Sequence, residues 1–362
     1  MRTSLRVAII LVIFSGHALA AKGGKKAAPK KPVETMDAGD PVAKEQSEKK
    51  VAAEEAETEE ERSERERQSD AAEVAKTHAR DKVGVFGNIL VGFGKAPIPD
   101  PTAQDTTGKT TSFTFMAGGH YDVSPAFTLG VRIPWTVGSQ TQRDGLSTTV
   151  SALGTPELMG EYRVGLSPFS RLPIFFGLGI PIAQGNYDTV KSLRQTYLND
   201  VADAASGYRD PELFGPKRLP IIVGVGIDYD RKAINLHAAT KFVAGVKVGG
   251  TIPDPVTTAG TYELKSVSFR NVTSAGVAYQ FLDKPKLYGA LDSWLAYSAI
   301  NPDEFESNRG ASSPTRFQVV FEPRVGARLG KISPSVGYIF PIGGRLADSS
   351  ISGLELHCDV AF

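Results

Sequence analysis

Charged and histidine side chains recur at every second position inside segments that are otherwise apolar in this 362-residue chain. Arg132, Glu157, Glu161, Arg163, Asp228, His237, Lys241, Arg270, Asp292, Glu322, Arg324, Arg328, Glu355, His357 and Asp359 all fall on one parity of their segments. Side chains two apart on an extended strand share a face, so these groups make one surface of mixed charge. Rings of charged side chains along an aqueous path select solutes by charge. The same groups, paired with one another, fill a space instead. On the sequence both readings stay open.

Other chemistries find less support. Nucleophilic catalysis needs a nucleophile beside a base. His120, His237 and His357 lie on the charged parity, and no serine with a neighbouring histidine assembles on the other face, so no catalytic residue and no enzyme is expected. His120 with Asp122, and His357 with Asp359, are two separated pairs of common residues. They are read as hydrated groups, and no metal or cofactor is assigned. With 41 basic and 40 acidic residues there is no positive field of the kind that binds nucleic acid. Cys358 is the single cysteine, which excludes an intrachain disulfide.

The elements that carry these groups read as strands. Val83, Val85, Ile89, Val91 and Phe93 alternate with small or polar residues, and Phe127, Leu129, Val131, Ile133, Trp135 and Val137 alternate with Thr128, Gly130, Arg132 and Thr136. Phe317, Val319, Phe321, Val325, Ala327 and Leu329 interleave with Arg316, Gln318, Glu322, Arg324 and Arg328. This period of two marks strands with two unlike faces. Twelve candidates start near 83, 111, 126, 155, 172, 219, 233, 264, 286, 315, 331 and 351.

Connection lengths alternate. Tight turns fall at Ser124-Pro125, Ser167 to Ser170, Asp230 to Lys232, Asp283 to Pro285 and Gly330-Lys331, and between them lie longer stretches at 95–110, 138–154, 184–218, 249–263, 300–314 and 343–350. Short turns on one rim, long loops on the other and an even strand count are the pattern of a transmembrane barrel, which closes because unpaired backbone groups are costly in hydrocarbon. The expected fold is therefore all-β: a twelve-stranded antiparallel transmembrane β-barrel over 83–362. Outward Tyr121, Trp135, Tyr162, Tyr229, Tyr297 and Phe362 would serve as interfacial girdles.

The region before it is different. Arg2 and Arg6, the apolar run Val7 to Phe14 and Ala18-Leu19-Ala20 read as a signal peptide over 1–20. Residues 21–82, Lys/Ala/Pro-rich and then Glu/Arg-dense, are expected to form a disordered or loosely helical periplasmic arm. Their lysine cluster suits an anionic partner such as peptidoglycan. Within 188–207, Val190, Leu193, Tyr197, Leu198 and Val201 recur at helical spacing ahead of Pro211. A short helix there either folds inward as a plug or caps the outer rim. Ile-Pro-Asp-Pro occurs at 98–101 and 252–255, which turn chemistry explains.

The final strand, Leu354, Leu356, Cys358, Val360 and Phe362, resembles the C-terminal signature of the Gram-negative outer-membrane β-barrel class. The resemblance covers roughly 83–362 and implies an outer-membrane location, with membrane lipid and the barrel assembly machinery as partners. Leu153 to Val164 is also similar to strands of transporter-like barrels. The expected function is passage of small solutes through a charge-lined lumen. Two alternatives stand beside it: a structural anchor tying the basic arm to the cell wall, and an autotransporter-like translocator.

Overall fold

The computed structural model describes residues 82–97, 107–141, 147–185, 190–231, 233–249, 252–253, 261–262, 266–300, 317–344 and 351–362, together with Glu64. The readings for residues 1–20 and 21–82 lie outside these, Glu64 and Lys82 excepted, as does Ile-Pro-Asp-Pro 98–101.

The wall is built from β1 (Val83–Pro97), β2 (Thr107–Ser124), β3 (Phe127–Thr141), β4 (Ser147–Leu153), β5 (Glu157–Ser167), β6 (Ser170–Gly179), β7 (Arg218–Arg231) and β8 (Ile234–Lys247). It continues through β11 (Val267–Asp283), β12 (Lys286–Ile300), β13 (Phe317–Arg328), β14 (Ile332–Gly344) and β15 (Ser352–Ala361). A minimal hairpin of β9 (Ile252–Pro253) and β10 (Thr261–Tyr262) decorates one long connection. Every neighbouring pair is antiparallel, and β1 closes the sheet against β15 from Gly84↔Ala361 to Phe93↔Ser352. Closure removes the end-strand edges that hydrocarbon would otherwise meet, and among the described residues β4 pairs with β3 alone.

β4 and β5 are two parts of one stave, since both pair with β3: Trp135–Thr141 with β4 and Phe127–Arg132 with β5. Counted this way, the closed barrel has twelve staves. The uninterrupted staves run from 10 to 18 residues, enough to cross a bilayer at a tilt. Val123, Leu129, Val131, Ile133, Leu158, Phe176, Val223, Leu291 and Phe340 are exposed on the outer face. Tyr121, Trp135, Tyr162, Tyr297 and Phe362 are exposed as well, while Tyr229 is half-buried. Phe115 stacks on Trp135 at 5.8 Å and Phe242 on Phe269 at 6.0 Å across neighbouring strands. Among the described residues no helix is long and apolar enough to cross a membrane.

Two expectations need correction. The stretch 138–154 is not a loop throughout, because β3 runs to Thr141 and Ser147–Leu153 forms β4; likewise β2 starts at Thr107 and not near 111. These extensions are rich in Ser and Thr. Above the hydrocarbon level a strand needs no apolar face, so hydrophobic alternation fades there while β-pairing continues.

The inside of the barrel is occupied. A helix, α1 (Val190–Ala205), and a 3-10 turn at Pro211–Leu213 lie between β6 and β7 in sequence, and α1 packs against β1, β2, β3, β4 and β15. Its buried Leu198, Val201, Ala202 and Ala205 follow the i, i+3, i+4, i+7 spacing. Val201 and Ala205 join a buried cluster with Leu90, Val272, Trp294, Val320 and Ile339, which point inward from the wall, while Ala202 packs with Leu213 and Phe214. Of the two options for this segment, an inward plug is the one observed.

Candidate functional site: a lumen crossed by an ion-paired plug

The plug is shaped by its helix stop. Gly207 takes φ +68°, its N–H donates to the Ala204 carbonyl at 3.0 Å, and the Tyr208 N–H donates to the Asp203 carbonyl at 2.9 Å. This is a Schellman termination, and it favours glycine at the left-handed position. A Cβ on Gly207 would come within 2.6 Å of Trp294, whose indole N–H donates to the Gly207 carbonyl at 2.7 Å. The chain then turns across the lumen as Arg209-Asp210-Pro211-Glu212.

Two ionic clusters hold that crossing segment. On one side Arg209 bonds Glu322 of β13 at 3.0 Å and Glu355 of β15 at 3.0 Å, and its guanidinium lies over Trp294 at 5.5 Å. Arg324 reinforces the pair through Glu322 at 2.7 Å, and the Asn88 amide of β1 donates to Glu355. On the other side Arg132 of β3 reaches Glu157 of β5 through Nε at 3.0 Å, Asp210 at 3.0 Å and Glu212 at 3.0 Å. Lys241 of β8 bonds the same two plug carboxylates, at 3.2 Å and 2.7 Å. Arg209 also meets Asp210 at 3.2 Å, which joins the clusters.

Burial works to raise the Asp210 carboxyl, but Lys241, Arg132 and Arg209 together outweigh it and hold the group well below the ordinary carboxylate range. Burial likewise opposes the charge on Arg209, and Glu355, Asp210 and Glu322 more than restore it. Buried pairs of this kind add little net stability, because desolvation offsets attraction, but removing one partner strands the other. Their effect is to fix one position for the segment.

The wall also binds the plug through its backbone. Where β4 gives way to β5, the Thr155 N–H donates to the Leu213 carbonyl at 2.6 Å, so the broken stave pairs with the plug and not only with β3. Higher up, Arg270 bonds Asp203 of α1 at 2.8 Å and lies over Tyr208 at 5.6 Å.

Of the wall residues proposed as lumenal, Arg132, Glu157, Lys241, Arg270, Glu322, Arg324 and Glu355 are thus gathered around the plug. The others lie apart from it. Arg163 bonds Glu161, His237 lies 3.2 Å from Asp292, His357 lies 2.8 Å from Asp359, Arg328 covers Tyr288 at 5.8 Å, and Asp228 is half-buried on β7. The residues missed from sequence are Asp203, Arg209, Asp210 and Glu212 on the plug. One signal pointed to them: Leu90, Trp294 and Val320 are apolar on the charged parity, and a water-filled lumen has no use for them.

No family model matches the chain, and no curated protein matches it. Among solved structures it is similar to the COG4313 outer membrane channel from Pseudomonas putida F1, at 11% identity and a TM-score of 0.48, over 77% of this chain and 95% of that one. It is also similar to the NanC porin, at 8% identity and a TM-score of 0.41, over 76% and 98% of the two chains. The translocator domain of the autotransporter NalP from Neisseria meningitidis follows at 8% identity and 0.42, over 86% and 98%. At these values no function passes from those proteins to this chain.

Proposed function

We propose that this protein is an outer-membrane channel for small polar solutes, held shut by the segment 190–217 and opened when that segment shifts. One observation carries the reading: the crossing segment is fixed to opposite walls by ion pairs, Arg209 to Glu322 and Glu355, and Asp210 and Glu212 to Arg132 and Lys241. A permanent filling is more economically made from apolar side chains, whereas charge pairs hydrate when a segment leaves and re-form when it returns. The apolar outer face and closed pairing support a membrane setting, and the outer membrane is where such barrels are found.

The test is a reversible lock in planar bilayers. A Cβ on Gly138 would sit 3.5 Å from Leu198 Cγ, which puts a Gly138→Cys, Leu198→Cys pair within reach of a disulfide once Cys358 is replaced by Ser. Unlocked protein is expected to conduct in bursts, the oxidised pair to be silent, and reductant to restore the bursts. A filled lumen equally suits a structural anchor. Bilayers silent in both redox states, with folded barrel present, would favour that reading and sink the channel.

A further inference from the structure

Between the crossing segment and the short-turn rim the lumen keeps a cavity of about 330 Å³. We infer that this cavity binds a small organic cation, an ammonium group carried on an apolar body. This rests on the channel reading for its use, since it names the solute class, but the site itself is argued from its lining.

Charge comes first. The lining holds four carboxylates, Glu157, Glu161, Asp210 and Glu212, against two cations, Arg132 and Lys241. The two cations are heavily committed: Arg132 meets three carboxylates and Lys241 two. An entering anion would have to compete with all of those contacts. Glu161 is different, with its side chain 34% exposed and bonded to Arg163, whose own side chain is 6% exposed. Counting Arg163, the compartment still carries an excess of negative charge. Glu212, a lining residue with a fully buried side chain, keeps one carboxylate oxygen without a hydrogen-bond partner, an acceptor left for a donor to satisfy.

The apolar part of the lining is aromatic and oriented. A Cβ on Gly118 would come within 2.1 Å of the Phe86 ring, and one on Gly224 within 2.1 Å of the Phe175 ring. Each ring therefore reaches over a neighbouring strand's glycine, and both rings line the cavity. Ring faces are electronegative and attract ammonium groups. A carboxylate-rich lining with two aromatic rings suits a cation with an apolar body better than a hydrated metal ion, which takes oxygen ligands.

The experiment is calorimetric titration of the refolded full chain at pH 8, above the ordinary imidazole range. Three probes share one shape: benzylamine, benzyl alcohol and benzoate. Benzylamine is expected to bind about tenfold more tightly than the alcohol, and benzoate more weakly than either. Glu161→Gln and Phe175→Leu should each weaken benzylamine binding by about three- to tenfold while leaving the alcohol less affected. Two substitutions guard against one that fails to fold. Benzoate binding as tightly as benzylamine, or benzylamine binding indifferent to whichever substituted barrels fold, would overturn the inference. Benzylamine binding beside a silent bilayer would sink the channel reading alone, and conductance without charge preference among the probes would sink this one alone.

Discussion

Asp210 joins the two ionic clusters, because its carboxylate touches Arg132, Lys241 and Arg209 at once. Each partner arrives from a different element, so the carboxylate's charge is what makes one cluster of them. Its lowered pKa sets the pH behaviour. A carboxyl depressed in the folded state contributes stability that is fully present above its ordinary value, near 4, and is lost only as pH falls through the depressed value. Asp210→Asn should therefore loosen the plug by about 3 kcal/mol at pH 7, as expected when one partner of a buried cluster is removed. The readout is open probability in bilayers. Variant and wild type should converge only in strong acid, and an equal difference at all pH values would contradict the role.

Helix α1 shows how one element is admitted into another. Ala205 sits where a Cβ on Gly92 would come within 2.6 Å of it, and Gly353 lies against its carbonyl, so small residues on β1 and β15 make the groove the helix enters. Its end is set by Gly207, where the left-handed conformation and the Trp294 ring exclude a side chain. Gly207→Ala should cost about 1–2 kcal/mol from backbone conformation alone, with the clash added. The expected result is a red-shifted, more quenchable Trp294 emission in a Trp135→Phe background. Unchanged emission would mean that the plug does not depend on this stop.

At the scale of the molecule, barrel and plug are separable. Closure runs from β1 to β15 through wall-to-wall ladders, whereas the plug meets the wall through side-chain ion pairs and single backbone bonds such as that from the Thr155 N–H to the Leu213 carbonyl. β6 and β7 are already adjacent, with Leu178 paired to Ile221, so a short linker can replace the segment between them. A Gly/Ser linker in place of residues 186–216 should leave strand content by circular dichroism unchanged and give a constantly open, larger conductance. Loss of the barrel's strand signal would show instead that the plug is part of the folding core.

What the sequence by itself determined is the wall. Period-two alternation is a local property, readable from Phe127 to Val137 or Phe317 to Leu329, and alternating connection lengths order such strands around a closed sheet. It was least legible where strands rise past hydrocarbon, as at Ser147–Leu153, because no apolar face is required there. The helical spacing at Val190, Leu198 and Val201 was legible too, but spacing names a face without saying what covers it. Parity likewise places Arg132, Lys241, Glu322 and Glu355 on one surface and leaves their partners open. Only the tertiary structure decided that the lumen is filled. Arg209 meets Glu322 and Glu355 across sequence separations of 113 and 146 residues. Ion pairs at that range depend on closure of the barrel around the loop, and no local pattern encodes them.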